Sequence, residues 1–177
     1  MSQGKKNAIQ IENFIFEEKI NLLENLETFE KFSKINKIDS KTGLLAFEDI
    51  NLDYGYVLYE NKVDLSQLLN SLQISGITEY AMIFVNGKKI ATYDRGLGNS
   101  DVSLYIPRTE QGENSLVDLK IPVENLGRIN FGPELLQNRK GIIGNIKLNE
   151  TILDNWTIFK ISLSSLTNLL LQVKLKN

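Results

Sequence analysis

The sequence predicts an all-β protein folded as an antiparallel β-sandwich, and three observations lead to this prediction. Short apolar stretches recur along the 177 residues, with turn-forming Gly, Asn and Asp between them. One stretch alternates strictly between apolar and polar residues, as a half-buried strand does. Two further stretches are joined by Asn-Gly, the dipeptide that fits the tight turn of a β-hairpin. Frequent short strands of this kind are typical of a sandwich.

The hairpin lies in YAMIFVNGKKIATYDRG, residues 80–96. Its first apolar run leads into Asn86-Gly87, and a second run continues through Tyr93. Both turn residues tolerate the positive φ angles of a type I′ turn, whose twist matches that of paired strands. This is the strongest local prediction in the sequence.

The alternating stretch places Val117, Leu119, Ile121 and Val123 on one face. Pro122 falls on the polar face and predicts an edge strand or a bulge, because proline cannot donate to a central ladder. Other candidate strands are residues 9–16, 54–59, 102–106, 142–148, 156–163 and 169–175.

Two segments instead show apolar residues at helical spacing and predict short helices. The first is EEKINLLENLETFEKF, residues 17–32, and the second is DLSQLLNSL, residues 64–72. Residues 31–53 are polar and mixed, and are interpreted as a connecting arm.

Composition excludes several classes of function. The net charge of -2 is spread over mixed acidic and basic residues, so neither a nucleic-acid partner nor a membrane partner is expected. Cysteine and histidine are absent, which removes Ser-His-Asp and Cys-His catalysis and the commonest metal ligand. GLGNS, residues 96–100, lacks the lysine and following helix of a phosphate-binding loop and is interpreted as a turn. We therefore expect no metal site and no cofactor.

IPVENLGRINFGPELLQNRKGIIG, residues 121–144, concentrates polar side chains beside a core strand. They include Glu124, Asn125, Arg128, Asn130, Arg139 and Lys140. An arginine fork can hold a carboxylate and spare carbonyl groups together in a bend. We favour this structural role over ligand binding for the polar residues after this strand and for the pair that closes the hairpin. These residues are Asp94, Arg95, Glu124, Asn125 and Arg128.

Four segments, in matching order and spacing, closely resemble one family. They are YGYVLYE (54–60), YAMIFVNGKKIATYDRG (80–96), VDLKIPVENLGRINFGPELLQNRKGIIGNIKLN (117–149) and ILDNWTIFKI (152–161). The chain resembles the non-catalytic β-domain of family 35 glycoside hydrolases, the β-galactosidases. ENLGRINFG and RKGI carry this resemblance most specifically.

The resemblance implies a jelly-roll sandwich similar to galactose-binding domains. In the family this domain follows a (β/α)₈ barrel that carries both catalytic glutamates, so the chain looks like a piece of a retaining β-galactosidase with no catalytic residue of its own. Its expected partner is that barrel. We expect a linker arm and first strand over 1–53, the jelly roll over 54–163, and a C-terminal strand or linker over 164–177.

The resemblance also implies substrate-binding residues for a galactoside. In the family the bend packs towards the barrel, and its aromatic residue contributes to the wall of the galactose pocket. The matching position is Phe131, beside Asn130. Phenylalanine stands here where the family pattern admits tyrosine, so apolar packing is expected without a hydroxyl contact.

Two other functions stay open at this point. A free-standing carbohydrate-binding module recognising galactosides would need exposed aromatic residues, yet Tyr93, Tyr105 and Trp156 are predicted to belong to strands. Trp156 is expected in the core, with stacking on a sugar ring as the alternative. A minimal hydrolase is the third hypothesis, and activity of the purified chain on a chromogenic galactoside would support it.

Overall fold

The computed structural model describes residues 21–24, 36–41, 43–98, 100–108 and 115–164, which form two antiparallel sheets packed face to face. The predicted antiparallel β-sandwich is confirmed. The strands are β1 (Asn36–Ser40), β2 (Tyr56–Asp64), β3 (Leu69–Ile74), β4 (Tyr80–Val85), β5 (Lys88–Tyr93), β6 (Val102–Pro107), β7 (Leu116–Glu124), β8 (Ile146–Leu148), β9 (Thr151–Ile152) and β10 (Trp156–Ile161). Two 3₁₀-helices cover Arg95–Leu97 and Pro133–Gln137.

Among the described residues, the larger sheet has six strands in the order β1-β10-β2-β7-β4-β5. Its longest ladder joins β2 to β7, from Tyr56 opposite Glu124 to Asp64 opposite Leu116. In the same described part of the chain, the smaller sheet has four strands in the order β6-β3-β8-β9. Neighbouring residues of a strand point to opposite faces, so each sheet has one face towards the core and one outer face.

The core lies between the two sheets. Tyr59 of β2 and Ile121 of β7 contribute from the larger sheet, and Leu72 of β3 contributes from the smaller one. Trp156 is buried and its indole N–H donates to the Leu153 carbonyl at 3.0 Å, which confirms the expected core position. Residues 44–52 enter the same core through three buried side chains, those of Phe47, Ile50 and Leu52.

The hairpin forms as predicted between β4 and β5. Asn86 and Gly87 adopt φ angles of 46° and 75°, the positive pair that a type I′ turn requires. A register shift between Ile83 and Phe84 places a bulge within this hairpin. The hairpin therefore fixes where the chain leaves β5 at Tyr93.

The predicted helix over residues 64–72 is wrong. Its leucines fit helical spacing, but β3 begins at Leu69 and alternates between half-buried or exposed and buried residues up to Ile74. Asn70 and Leu72 point to the core, and Asn70 satisfies its amide with the Gln67 and Ile106 carbonyls. β3 pairs with β6 on one side and with β8 on the other. Both partner strands are distant in sequence, so hydrogen bonding between strands overrides the local helical spacing of the leucines.

The prediction of an edge strand or a bulge at Pro122 is also wrong, because β7 lies between β2 and β4 and keeps one register with β2 throughout. The ladder with β2 is unbroken at Pro122, which lies opposite Leu58. Pairs with β4 occur at Ala81–Val123 and again at Phe84–Lys120. The missing N–H of the proline therefore falls on the β4 side, between these pairs.

The other strand predictions are met with changed limits. Of residues 142–148, only Ile146–Leu148 is a strand, and Ile142 makes an isolated bridge to Ile77. The predicted strands over 9–16 and 169–175 lie outside the described residues, as does most of the predicted helix over 17–32. Within that helix, residues 21–24 form a turn in which the Leu23 amide donates to Asn21 at 3.1 Å. No helix in the described part of the chain is long and apolar enough to cross a membrane.

Candidate functional site

The segment after β7, residues 125–139, is called the corner loop here. It leaves the larger sheet after Glu124, contains the 3₁₀-helix Pro133–Gln137, and returns to the core at Lys140. The return depends on Gly141, whose φ is 107°. A Cβ atom at this position would lie 2.7 Å from the Tyr59 hydroxyl and 3.3 Å from the Phe47 ring. Only glycine fits both this backbone conformation and this close approach.

Glu79, which immediately precedes β4, joins three segments around the corner loop. Its Oε1 accepts from the Lys140 ammonium and from Arg95 Nη1, the latter at 3.2 Å. Its Oε2 accepts from the Leu126 amide at 2.9 Å. The side chains of Glu79 and Lys140 are both 0% exposed. A charge removed from water in this way requires charged and hydrogen-bonded partners, and this carboxylate has both.

Glu48 holds the corner loop from the other side. Its Oε1 lies 2.6 Å from Arg128 Nη1, and its Oε2 accepts from the Lys140 amide at 3.1 Å. Burial alone would raise the pKa of Glu48, but the Lys140 amide, its own amide and the Arg128 guanidinium outweigh it and lower the pKa. Glu48 is therefore held as a carboxylate facing the loop.

Glu79 and Glu48, with the residues they bind, are called the anchor of the corner loop. Asp49 and Arg139 add a further ion pair to this anchor. Arg139 Nη2 lies 2.6 Å from Asp49 Oδ2, and that oxygen also accepts from the Ala46 amide at 2.8 Å. Inside the loop, Asn138 accepts from the Ile129 amide through its side chain and from Arg128 through its carbonyl, both at 3.3 Å. The loop is thus held near its start and at its end, and Asn138 links the two.

The structure brings some of the residues singled out from the sequence to this anchor and leaves others nearby. Arg95 and Arg128 bind the carboxylates of Glu79 and Glu48. Asn125 links the Asp53 carbonyl to the Gly127 amide, at 2.7 and 2.9 Å.

Asp94 and Glu124 lie beside this anchor. Asp94 accepts from the Gly96 amide at 2.8 Å and so caps the short 3₁₀-helix after β5. Glu124 lies opposite Tyr56. The pKa of Tyr56 is raised, mainly because the side chain is partly buried and also because of the negative charge and hydrogen bond of Glu124.

The corner loop carries apolar side chains into solvent. Phe131 is 91% exposed and Leu136 is 94% exposed, and Leu126 and Leu135 are also exposed. Asn130 is exposed beside Phe131. The four exposed apolar residues, Leu126, Phe131, Leu135 and Leu136, are called the corner patch. Large apolar side chains on a firmly anchored loop are typical of a surface that binds another protein.

Sequence reasoning missed Glu79, Glu48 and Asp49 as parts of this anchor. Glu79 is 61 residues from Lys140, so nothing local to either residue signals their pairing. Arg139 and Lys140 were recognised as members of the polar stretch over residues 121–144, but the sequence predicted no partner for either. Among the described residues, no cluster of three or more His, Cys, Asp or Glu side chains could hold a metal ion.

Comparison with known proteins places this geometry in context. A family model described as "Beta-galactosidase, first all-beta domain" matches residues 45–162. Mouse β-galactosidase is 32% identical over 122 residues, which cover 67% of this chain and 18% of the mouse protein. Human β-galactosidase-1-like protein 2 is 33% identical over 110 residues, covering 62% of this chain and 15% of that protein.

A bacterial relative, the β-galactosidase of Xanthomonas manihotis, is 27% identical over 112 residues. The chain therefore spans less than a fifth of the length of these curated relatives. Among solved structures, a GH2 β-galacturonidase from Eisenbergiella tayi gives a TM-score of 0.40 at 12% identity, covering 72% of this chain and 25% of that one.

Proposed function

The chain belongs to the family of β-galactosidase first all-beta domains, and from this premise we propose that its corner patch packs against the catalytic (β/α)₈ barrel of a β-galactosidase. The family membership makes it an accessory β-sandwich of a larger glycosidase. We assign that glycosidase to family 35, with a retaining mechanism, on the resemblance of ENLGRINFG and RKGI. The exposure of Phe131 and Leu136 on an anchored loop is the observation that carries the docking proposal.

The anchoring supports this role because an active site shared between two domains needs both held to within about half an ångström. Glu79 fixes the start of the corner loop through the Leu126 amide. Glu48 fixes the end of the loop through the Lys140 amide and its first turn through Arg128. A loop held in this way can present apolar side chains to a partner without first losing much conformational freedom.

At the rim of the galactose pocket, we propose that Phe131 supplies apolar contact and Asn130 a polar one. Phe131 has no hydroxyl, so its contribution to a galactoside is packing against the less polar side of the sugar ring. The acid/base and nucleophile belong to the barrel, and the chain alone hydrolyses no galactoside.

The test uses this chain and the catalytic barrel of a β-galactosidase, produced separately. Hydrolysis of a chromogenic galactoside is measured for the chain, for the barrel and for their mixture. We expect no turnover by the chain, and higher activity or thermal stability of the barrel in the mixture. Turnover by the chain alone contradicts its accessory role.

A pair of variants tests whether the corner patch makes the contact. Leu136→Ser removes an apolar side chain from the patch, and Leu68→Ser removes one that is 86% exposed on the loop between β2 and β3. Association measured by analytical ultracentrifugation should weaken at least tenfold for Leu136→Ser and stay unchanged for Leu68→Ser. Equal loss in both variants, or loss in neither, contradicts docking through the corner patch.

A further inference from the structure

A second surface, on the smaller sheet, carries a groove that the docking role does not use. The groove has a volume of about 860 Å³ and lies across β3 and its two neighbours, β6 and β8. Its polar lining residues are Gln73, Ser75, Asp101, Ser103, Asn145 and Lys147. One carboxylate and one ammonium balance each other, so the lining carries no net charge. An open groove with this mixed lining can hold a small polar molecule against the sheet.

One end of the groove is fixed by short hydrogen bonds. Ser75 Oγ donates to the Asn145 carbonyl at 3.1 Å and accepts from the Asn145 amide at 2.9 Å. Asp101 Oδ1 accepts from the Gly76 amide at 3.0 Å and from Ser100 Oγ at 3.1 Å. These contacts tie the ends of β3, β6 and β8 together, so the groove exists before any ligand arrives.

The middle of the groove is a row of three side chains on neighbouring strands. Gln73 of β3 lies opposite Ser103 of β6 on one side and opposite Lys147 of β8 on the other. All three point to the outer face, because Leu72 and Ile74 beside Gln73 are buried in the core. The row offers an amide, a hydroxyl and an ammonium, which together donate and accept hydrogen bonds in several directions.

Tyr105 stands on the same outer face, two residues along β6 from Ser103, and is 71% exposed. It lies in a strand, as predicted, but its side chain is not committed to the core as those of Tyr93 and Trp156 are. Two residues along a strand cover about 6.6 Å, close to the width of one pyranose ring. Tyr105 is not one of the residues that line the groove, but it lies beside them on the same face. An exposed ring next to a polar row matches a sugar, which has one less polar face and a rim of hydroxyl groups.

We propose that this groove binds a neutral oligosaccharide, with the hydroxyl groups of one sugar bound in the groove by Ser103, Gln73 and Lys147 and the ring of the next sugar stacked on Tyr105 beside the groove. The occupant is a neutral sugar because the lining has no net charge and mixes donors with acceptors. This binding site is separate from the corner loop and does not depend on docking to a barrel.

The test is a titration of the full chain with lactose, followed by ¹⁵N-resolved amide shifts, with cellobiose as a second neutral disaccharide. We expect saturable shifts at roughly millimolar sugar, concentrated on β3, β6 and β8. Tyr105→Ala should weaken binding at least tenfold, and Tyr105→Phe should retain it because the ring remains. Tyr54→Ala removes an exposed tyrosine outside the groove and should leave binding unchanged.

The amide spectrum of each variant also reports its fold, so loss of binding can be separated from loss of structure. Lack of saturable shifts with both sugars overturns the proposal. Shifts confined to Asn130 and Phe131 also overturn it, because the sugar would then occupy the corner loop. Binding that persists in both the Gln73→Ala and the Tyr105→Ala variants likewise overturns the proposal.

Discussion

Glu79 and Lys140 form an ion pair in which neither side chain has contact with solvent. The two residues are far apart in sequence. Glu79 immediately precedes β4, and Lys140 immediately follows the corner loop. Arg95 and the Leu126 amide complete the bonds to the same carboxylate. The pair therefore joins the exit of the hairpin, the start of the corner loop and its end at one buried point.

Removing one partner should be costly, because the remaining charge stays buried. We expect Glu79→Gln to lower the free energy of unfolding by about 3–5 kcal/mol, since Lys140 then lacks a compensating charge. Urea unfolding followed by circular dichroism measures the change. Replacing both residues, Glu79→Leu with Lys140→Met, should recover part of the loss because no buried charge remains.

An exposed pair provides the matched control. Lys62 and Asp118 lie 4.0 Å apart with side chains that are largely in solvent. Asp118→Asn should change the free energy of unfolding by less than about 1 kcal/mol. If Glu79→Gln costs no more than this control, the buried pair does not hold the loop as argued.

The close approach at Gly141 makes a second prediction. Gly141→Ala adds a Cβ atom 2.7 Å from the Tyr59 hydroxyl, at a backbone φ that alanine adopts poorly. We expect a loss of roughly 2–4 kcal/mol, the sum of a backbone cost and a steric cost. Gly43→Ala separates the two, because its φ of 123° is similar but nothing lies within 4 Å. Equal losses in both variants would show that the contact with Tyr59 contributes nothing.

Glu48 predicts how stability depends on pH. The pKa of Glu48 is lowered from 4.5 in the folded chain. Its stabilising effect is therefore complete above pH 4.5 and is lost as the pH falls through the pKa of the folded state. Glu48→Gln should therefore reduce the free energy of unfolding by about 1 kcal/mol at neutral pH, as expected for a partly exposed ion pair. Near pH 3 the difference should shrink. Urea midpoints between pH 7 and pH 3 provide the measurement.

The change in net charge needs its own control. Glu150→Gln removes a carboxylate from an exposed turn residue and corrects for the loss of one negative charge. A Glu48→Gln deficit that stays constant from pH 7 to pH 3, after this correction, would contradict a lowered pKa.

The sequence predicted structural features that depend on neighbouring residues. It did not predict features that depend on contacts between residues distant in sequence. Asn86-Gly87 specifies the hairpin by its own backbone preferences, and the prediction held. The leucines of residues 64–72 fit a helix equally well, and only pairing with β6 and β8 makes this region a strand. Pro122 is tolerated in a central strand because its missing donor faces the interrupted side of the ladder.

The same distinction applies to the site. The polar residues after the alternating strand and the pair that closes the hairpin include Arg95, Asn125 and Arg128, and the structure gives each of these three a partner. The partners of the two arginines, Glu79 and Glu48, lie in stretches without a distinctive pattern. Their roles arise from packing between segments that are far apart in sequence, which no local spacing encodes.

The last prediction concerns Phe131 in the complete β-galactosidase. Because its side chain is 91% exposed in this chain, Phe131→Ala should change the free energy of unfolding of the chain by less than about 0.5 kcal/mol. Phe131 also belongs to the corner patch, so the measurement is made at concentrations that saturate the association with the barrel. Under these conditions, packing of the ring against bound sugar contributes equally to ground state and transition state. Its loss should therefore raise KM for a galactoside roughly tenfold and leave kcat unchanged. Leu68→Ala serves as the control for an exposed apolar residue elsewhere. Unchanged KM in Phe131→Ala would remove Phe131 from the pocket, while a loss in kcat alone would indicate a contact made only in the transition state.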